Sequence, residues 1–184
     1  MIEKPNFFVF TGGPGVGKTT LLRHLQALGE IVVEETHRAV IREQVAAGGS
    51  AVPWIDRGAY ARLTARRDIA IFERMAQETR RVFFDRGIMD SHGGDGVEPW
   101  PEIVEALRTR RYNRLVFVFP PWREIYETDA ERRQDWPEAK RTFETITRML
   151  QGLGYAPLVV PKADVAARAA FVLEHALPPN PSPP

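Results

Sequence analysis

The chain has 184 residues, 43% hydrophobic and 27% charged, with 25 basic against 24 acidic side chains. That length fits one domain, and a net charge of +1 supplies no global attraction to nucleic acid or anionic lipid. The lack of cysteine excludes disulfides, zinc–thiolate sites and thiol catalysis. No apolar run approaches the ~18 residues of a membrane span, and Met1–Pro5 lacks the apolar region of a signal peptide. A cytoplasmic, enzyme-sized domain is the expectation, without a nucleic-acid or membrane partner and as a monomer or homodimer.

In chain order, Asn6–Thr11 is a short apolar run that ends at glycines, which reads as a buried strand. Lys18–Leu28 carries Leu21, Leu22, Leu25 and Leu28 at helical spacing, with Gly29 as the stop. Ile31–Glu34 is a second strand, and Thr36–Ala47 a helix closed by Gly48 and Gly49. Asp56–Thr79 reads as one long helix, and Val82–Phe84 as a third strand ending at Asp85. A glycine-rich connection, Gly87 to Gly96, leads to a proline-started helix over Pro101–Arg111. Leu115–Phe119 and Ala156–Val160 are the fourth and fifth strands, separated by a charged stretch and a helix over Pro137–Leu150. Asp164 caps a last helix to about Ala176. Five buried strands alternating with helices predict an α/β domain over residues 1–177, its parallel sheet covered on both faces. Five of the 15 prolines fall in Pro178–Pro184, which reads as a disordered tail.

Gly12-Gly13-Pro14-Gly15-Val16-Gly17-Lys18-Thr19, followed by Thr20, fits G-x-x-x-x-G-K-[ST], with a strand before it and a helix after it. Glycines at this spacing let successive backbone N–H groups wrap a phosphate chain, and the helix adds its positive N-terminal end. Lys18 then reaches the β- and γ-phosphates, and the Thr19 hydroxyl can ligate Mg²⁺. Lysine is scarce here, 4 residues against 21 arginines, so a lysine at this position carries extra weight.

Asp85 ends an apolar strand, where a carboxylate can hold the Mg²⁺ shell opposite Thr19 or accept a proton from an acceptor hydroxyl. Glu34 and Glu35 follow strand two near the phosphate end of the sheet; either is a candidate base or helix-dipole partner, and only one can point inward. Arg132 and Arg133 lie in a charged stretch of the kind that closes over leaving phosphates, or that forms a solvated helix. Arg62, Arg66, Arg67 and Asp68 read as a solvated helix face, with recognition of an acceptor's phosphate or carboxylate as the alternative. Trp54, Trp100, Trp122 and Trp136 read as packing under loops, with base stacking as the alternative.

On these residues the chain resembles the P-loop nucleoside and nucleotide kinase superfamily. More closely it resembles the bacterial AAA-type ATP-binding family related to the ribosylnicotinamide kinase domain of the NAD regulator protein. The carrying segments are Phe7–Thr20, Val32–Gln44, Phe83–Ser91, Pro120–Gln134 and Gly154–Leu173. The resemblance implies a sheet of order 2-3-1-4-5, Mg-ATP as phosphoryl donor, and a lid near Glu127–Gln134. It also implies Arg86 and Asp90 on the acceptor, Arg132 or Arg133 on the transferring phosphates, and the purine near Pro161-Lys162-Ala163. Met89 stands where such relatives tend to have proline, and the segment from His92 to Gly96 is short, which bears on acceptor recognition.

The function expected is a Mg-ATP-dependent small-molecule kinase acting on a nucleoside, nucleotide or related metabolite. The alternatives are an ATPase or GTPase acting as a conformational switch, and a non-catalytic nucleotide sensor. Against GTP, no guanine-reading Asn-Lys-x-Asp ends strand four, because Asn113 is followed by Arg114.

Overall fold

The computed structural model describes residues 1–92, 100–125 and 136–177. The chain runs β1 (Ile2–Glu3), β2 (Phe7–Gly12), α1 (Lys18–Ala27), β3 (Ile31–Val33), α2 (His37–Ala46), α3 (Arg57–Met75) and β4 (Val82–Asp85). It continues through α4 (Pro101–Thr109), β5 (Arg110–Arg111), β6 (Leu115–Phe119), α5 (Trp136–Gly152), β7 (Ala156–Val159) and α6 (Val165–His175). Five of these strands form a parallel sheet in the order β3-β4-β2-β6-β7, which is the expected 2-3-1-4-5.

Because side chains alternate along a strand, one apolar run feeds two cores. Phe7, Val9, Val82, Phe84, Val116 and Val118 face α3, α4 and α5. Phe8, Phe10, Phe83, Phe117 and Phe119 face α1 and α6. On that second side Phe10 contacts Phe83, Phe117 and Phe119 at ring-centre distances of 5.5, 5.4 and 5.2 Å. These rings form a rigid floor directly beneath the loop that follows β2.

Two predicted helices end early, each for a tertiary reason. The long helix expected to reach Thr79 stops at Met75. Beyond it, the Lys4 ammonium takes the carbonyls of Ala76 and Glu78 at 2.8 and 2.9 Å, and the Asn6 amide takes those of Glu78 and Arg80. The helix expected to reach Arg111 stops at Thr109, because Arg110–Arg111 pair in parallel with Ile2–Glu3 as a small second sheet. The proposed tail, Pro178–Pro184, lies outside the described residues, as do the greater part of the glycine-rich connection and residues 126–135, with Arg132 and Arg133.

Candidate functional site

The register sets the site. Phe10 lies opposite Asp85 and Gly12 opposite Phe119, so β2 and β6 end at one level at the carboxyl edge of the sheet and β4 ends beside them, two residues short. The turn from β2 into α1 requires glycine for stated reasons. Gly12 has φ +141°, and a Cβ there would sit 2.7 Å from the Phe119 carbonyl oxygen. Gly17 has φ +83° and is the residue immediately before α1. In this turn the buried Lys18 ammonium donates to the carbonyls of Gly12 and Gly13 at 3.2 and 3.0 Å. Burial, aided by Arg86, lowers its pKa to about 8. The loop therefore has the shape to cradle an anion, with a buried cation inside it.

Thr19 and Asp85 meet across the cradle, the Thr19 Oγ1 donating to Asp85 Oδ2 at 3.4 Å. The other oxygen, Asp85 Oδ1, is buried and has no hydrogen-bond partner among the described residues. Burial raises the proton affinity of this carboxyl, against the pull of Lys18. A buried oxygen without a donor beside a cradle hydroxyl is a donor set that fits a hard divalent cation.

Behind the cradle lies a buried charge network. Arg86 is the one non-glycine residue with positive φ among the described residues, at +71°. Such strain persists only where the surroundings over-determine it, and here they do. Its N–H donates to the Phe10 carbonyl at 2.9 Å, and its guanidinium reaches Glu35 at 2.8 Å, Asp90 at 3.1 Å and the Gly12 carbonyl at 3.3 Å. Asp90 also accepts from the Thr11 hydroxyl and, at 2.9 Å, from the Gly87 N–H. Burial works to raise the Glu35 pKa, but Arg86 and Lys18 outweigh it and bring it to about 2. Glu35 also pairs with Arg38 at 3.3 Å.

Two cavities open from this network. The first, about 670 Å³, is lined by the cradle from Pro14 to Thr20, then by Glu35, Arg86, Trp122 and Arg168. The second, about 440 Å³, opens on the Gly12–Pro14 side and is lined further by Arg57, Asp90, Ser91 and Arg141. Pro14, His37, Tyr60 and Arg86 line both.

The structure thus brings together Lys18, Thr19, Asp85, Glu35, Arg86, Asp90 and the whole glycine loop. It separates two other expected residues. Glu34 is exposed and lines neither cavity, because alternation on β3 and the turn after it send only Glu35 inward. Lys162 is exposed too, and its neighbours Ala163 and Asp164 line the first cavity instead. Asp90 has its oxygens taken by three donors within the protein, so its place is to fix Arg86 and the Gly87 turn.

Two buried polar groups went unforeseen. Asp68 is 6% exposed; it accepts from Thr36 Oγ1 at 2.7 Å and lies 3.3 Å from His37 Nε2, which orients His37 toward both cavities. The helix face read as solvated is solvated only in part: Arg67 pairs with Glu43, and Arg62 and Arg66 lie over Trp100. A signal existed, since Thr64, Asp68 and Phe72 share one stripe at four-residue spacing, and an acid on a core stripe needs partners. Arg168 on α6 is the other, and Trp122 lies against it at the rim of the first cavity.

A family model described as an AAA domain matches residues 7–168. The chain belongs to this AAA-domain family. No curated protein matches the chain significantly. Among solved structures, the chain is similar to the NadR protein in complex with NAD and AMP-PNP, at 19% identity and a TM-score of 0.68. That match covers 95% of this chain and 49% of NadR, so the chain spans about half the length of that relative. A thymidylate kinase from Ehrlichia chaffeensis matches at 16% identity and TM-score 0.58, covering 94% of this chain and 98% of its own. A shikimate kinase from Acinetobacter baumannii matches at 15% and 0.50, over 94% of this chain and 90% of its own. The AAA-domain chain therefore has the fold of P-loop kinases. No helix among its described residues is long and apolar enough to cross a membrane.

Proposed function

We propose that the chain is a cytoplasmic phosphotransferase that passes the terminal phosphoryl group of Mg-ATP to a small organic acceptor, a nucleoside, nucleotide or related metabolite. The observation that carries this reading is the pair of cavities meeting at Pro14, His37, Tyr60 and Arg86. Hydrolysis needs room for one water, whereas a second chamber of about 440 Å³ beside the cradle suits an organic acceptor. The kinase fold of its structural relatives, one of them holding AMP-PNP, supports a triphosphate in the first cavity.

In this reading Lys18 and the amides of the Gly12–Thr20 turn hold the triphosphate. Thr19 and Asp85 would hold Mg²⁺, which would supply positive charge to offset that of the phosphates. Arg86, fixed by Glu35 and Asp90, steadies the phosphoryl group between the cavities. Of the three candidate acids, Glu34 faces solvent and Glu35 is held ionised between two arginines. Asp85 gives its open oxygen to the cation beside Thr19 and lines neither cavity. Transfer in this reading therefore rests on positioning and charge stabilisation, with no base assigned among the three.

The test is ADP release from Mg-ATP, with and without fractions of a cellular metabolite pool. Lys18→Ala, expected to fall about 10²- to 10³-fold, serves as the blank. Release that rises with a single fraction supports the transferase, and mass spectrometry of that fraction identifies the acceptor. Release above the blank but indifferent to every fraction overturns it in favour of a hydrolase, and release equal to the blank in favour of a sensor.

A further inference from the structure

Arg168 sits on the first turns of α6, on the same stripe as Val165, Ala169 and Val172, which pack into the second core. A charge at such a position is costly unless it is paired. Arg168 is only 5% exposed, yet its Nε and one terminal nitrogen are buried with no hydrogen-bond partner among the described residues. The carboxylate that acts on it, Asp164, is occupied in capping α6, where it accepts from the Ala167 N–H at 2.8 Å. The guanidinium lies against the Trp122 ring, 5.4 Å from its centre, and both side chains line the first cavity.

Its tip touches the cradle. A Cβ on Gly17 would lie 2.7 Å from the Arg168 terminal nitrogen, so Gly17 is a glycine partly because Arg168 occupies that space. A buried cation with open N–H groups, pressed on an anion-binding loop, is complementary to an anion on that loop. Its location says which part of the anion. The second cavity touches Gly12, Gly13 and Pro14, whereas Arg168 touches Gly17 and lines only the first cavity. The transferring phosphate belongs on the Gly12–Pro14 side, and Arg168 on the opposite side.

We propose that Arg168, held in place by Trp122, is a second cationic phosphate ligand of the cradle, binding the phosphates that stay with the nucleotide. This inference rests on the nucleotide-binding reading above and adds a residue that the glycine-loop motif does not contain. These phosphates are the leaving group and gain negative charge as the bond to the transferring phosphoryl group breaks, so loss of the contact raises KM for ATP and also lowers kcat.

The experiment compares wild type, Lys18→Ala, Arg168→Met and Arg168→Lys, titrated with ADP, inorganic tripolyphosphate and adenosine, alongside melting of the nucleotide-free proteins. The expected result for Arg168→Met is about 10- to 100-fold weaker binding of both ADP and tripolyphosphate, with adenosine unchanged. Arg168→Lys, which keeps the charge, recovers part of the loss. The nucleotide-free Arg168→Met protein melts no lower than wild type, because an uncompensated buried charge has been removed. Three results overturn the proposal: unchanged ADP affinity, a loss for adenosine equal to that for ADP, or a lower melting temperature without ligand. If wild type binds neither ADP nor tripolyphosphate, the nucleotide-binding reading falls together with this one.

Discussion

Two sets of arginine–carboxylate pairs in this molecule are alike in chemistry and opposite in consequence. On the outer surface, Arg108 pairs with Glu105 at 2.8 Å, with side chains 73% and 56% exposed. Behind the phosphate loop, Arg86 pairs with Glu35 and Asp90 at 2.8 and 3.1 Å, and the Asp90 side chain is 2% exposed. Distance does not separate them; burial does. An exposed pair exchanges one hydrated state for another, whereas a buried one must hold every charge it contains or leave it stranded. In a chain with 21 arginines, the protein places its structural investment in the few that back the cradle.

The comparison breaks most visibly at Arg86. Arg86→Ala strands Glu35 and Asp90 and is expected to cost about 3 kcal/mol or more, read as a shift in the urea unfolding curve. A Glu35→Gln variant sharpens it through pH. The Glu35 pKa falls from 4.5 to about 2 on folding, so its contribution is present above pH 4.5 and is lost as pH drops through about 2. Wild type is therefore expected to exceed Glu35→Gln by about 2–3 kcal/mol at pH 6, with the gap closing in acid. A gap independent of pH would contradict the role given to this carboxylate. Gly12→Ala meets both a positive φ and the Phe119 carbonyl, and a loss of about 1–3 kcal/mol in thermal or urea unfolding is expected. At the other extreme, Arg108→Ala is expected to leave the melting midpoint where it is.

What was legible in the sequence follows the same division. The cradle could be read because its constraints are local: positive φ at Gly12, Gly15 and Gly17 and a lysine one residue on leave little else to fit. The sheet could be read because its strands appear as apolar runs, each stopped by a glycine, proline or acid. Only β2, β4 and β6 are buried as expected, however; the edge strands β3 and β7 are half-buried, each having a neighbour on one side alone. Glu34 and Glu35 could not be separated, since the turn after β3, not the alternation alone, decides which faces Arg86. Asp68 and Arg168 were missed because each is a charge on an apolar stripe. Only the packing of His37 and Thr36, or of Trp122 and Gly17, shows why that charge is tolerated. The early end of α4 was hidden for a longer-range reason, since its partner strand is residues Ile2–Glu3 at the far end of the sequence.

The central claim is that donor and acceptor occupy two chambers that share the Arg86 wall. Ala61 lines the second cavity and not the first, so Ala61→Trp fills one chamber and leaves the other. The most direct measurement is Mg-ATP binding and acceptor-stimulated ADP release for this variant beside wild type. ATP affinity unchanged, with stimulation by the acceptor fraction abolished, is the predicted result. Stimulation that survives a filled second chamber would contradict the account.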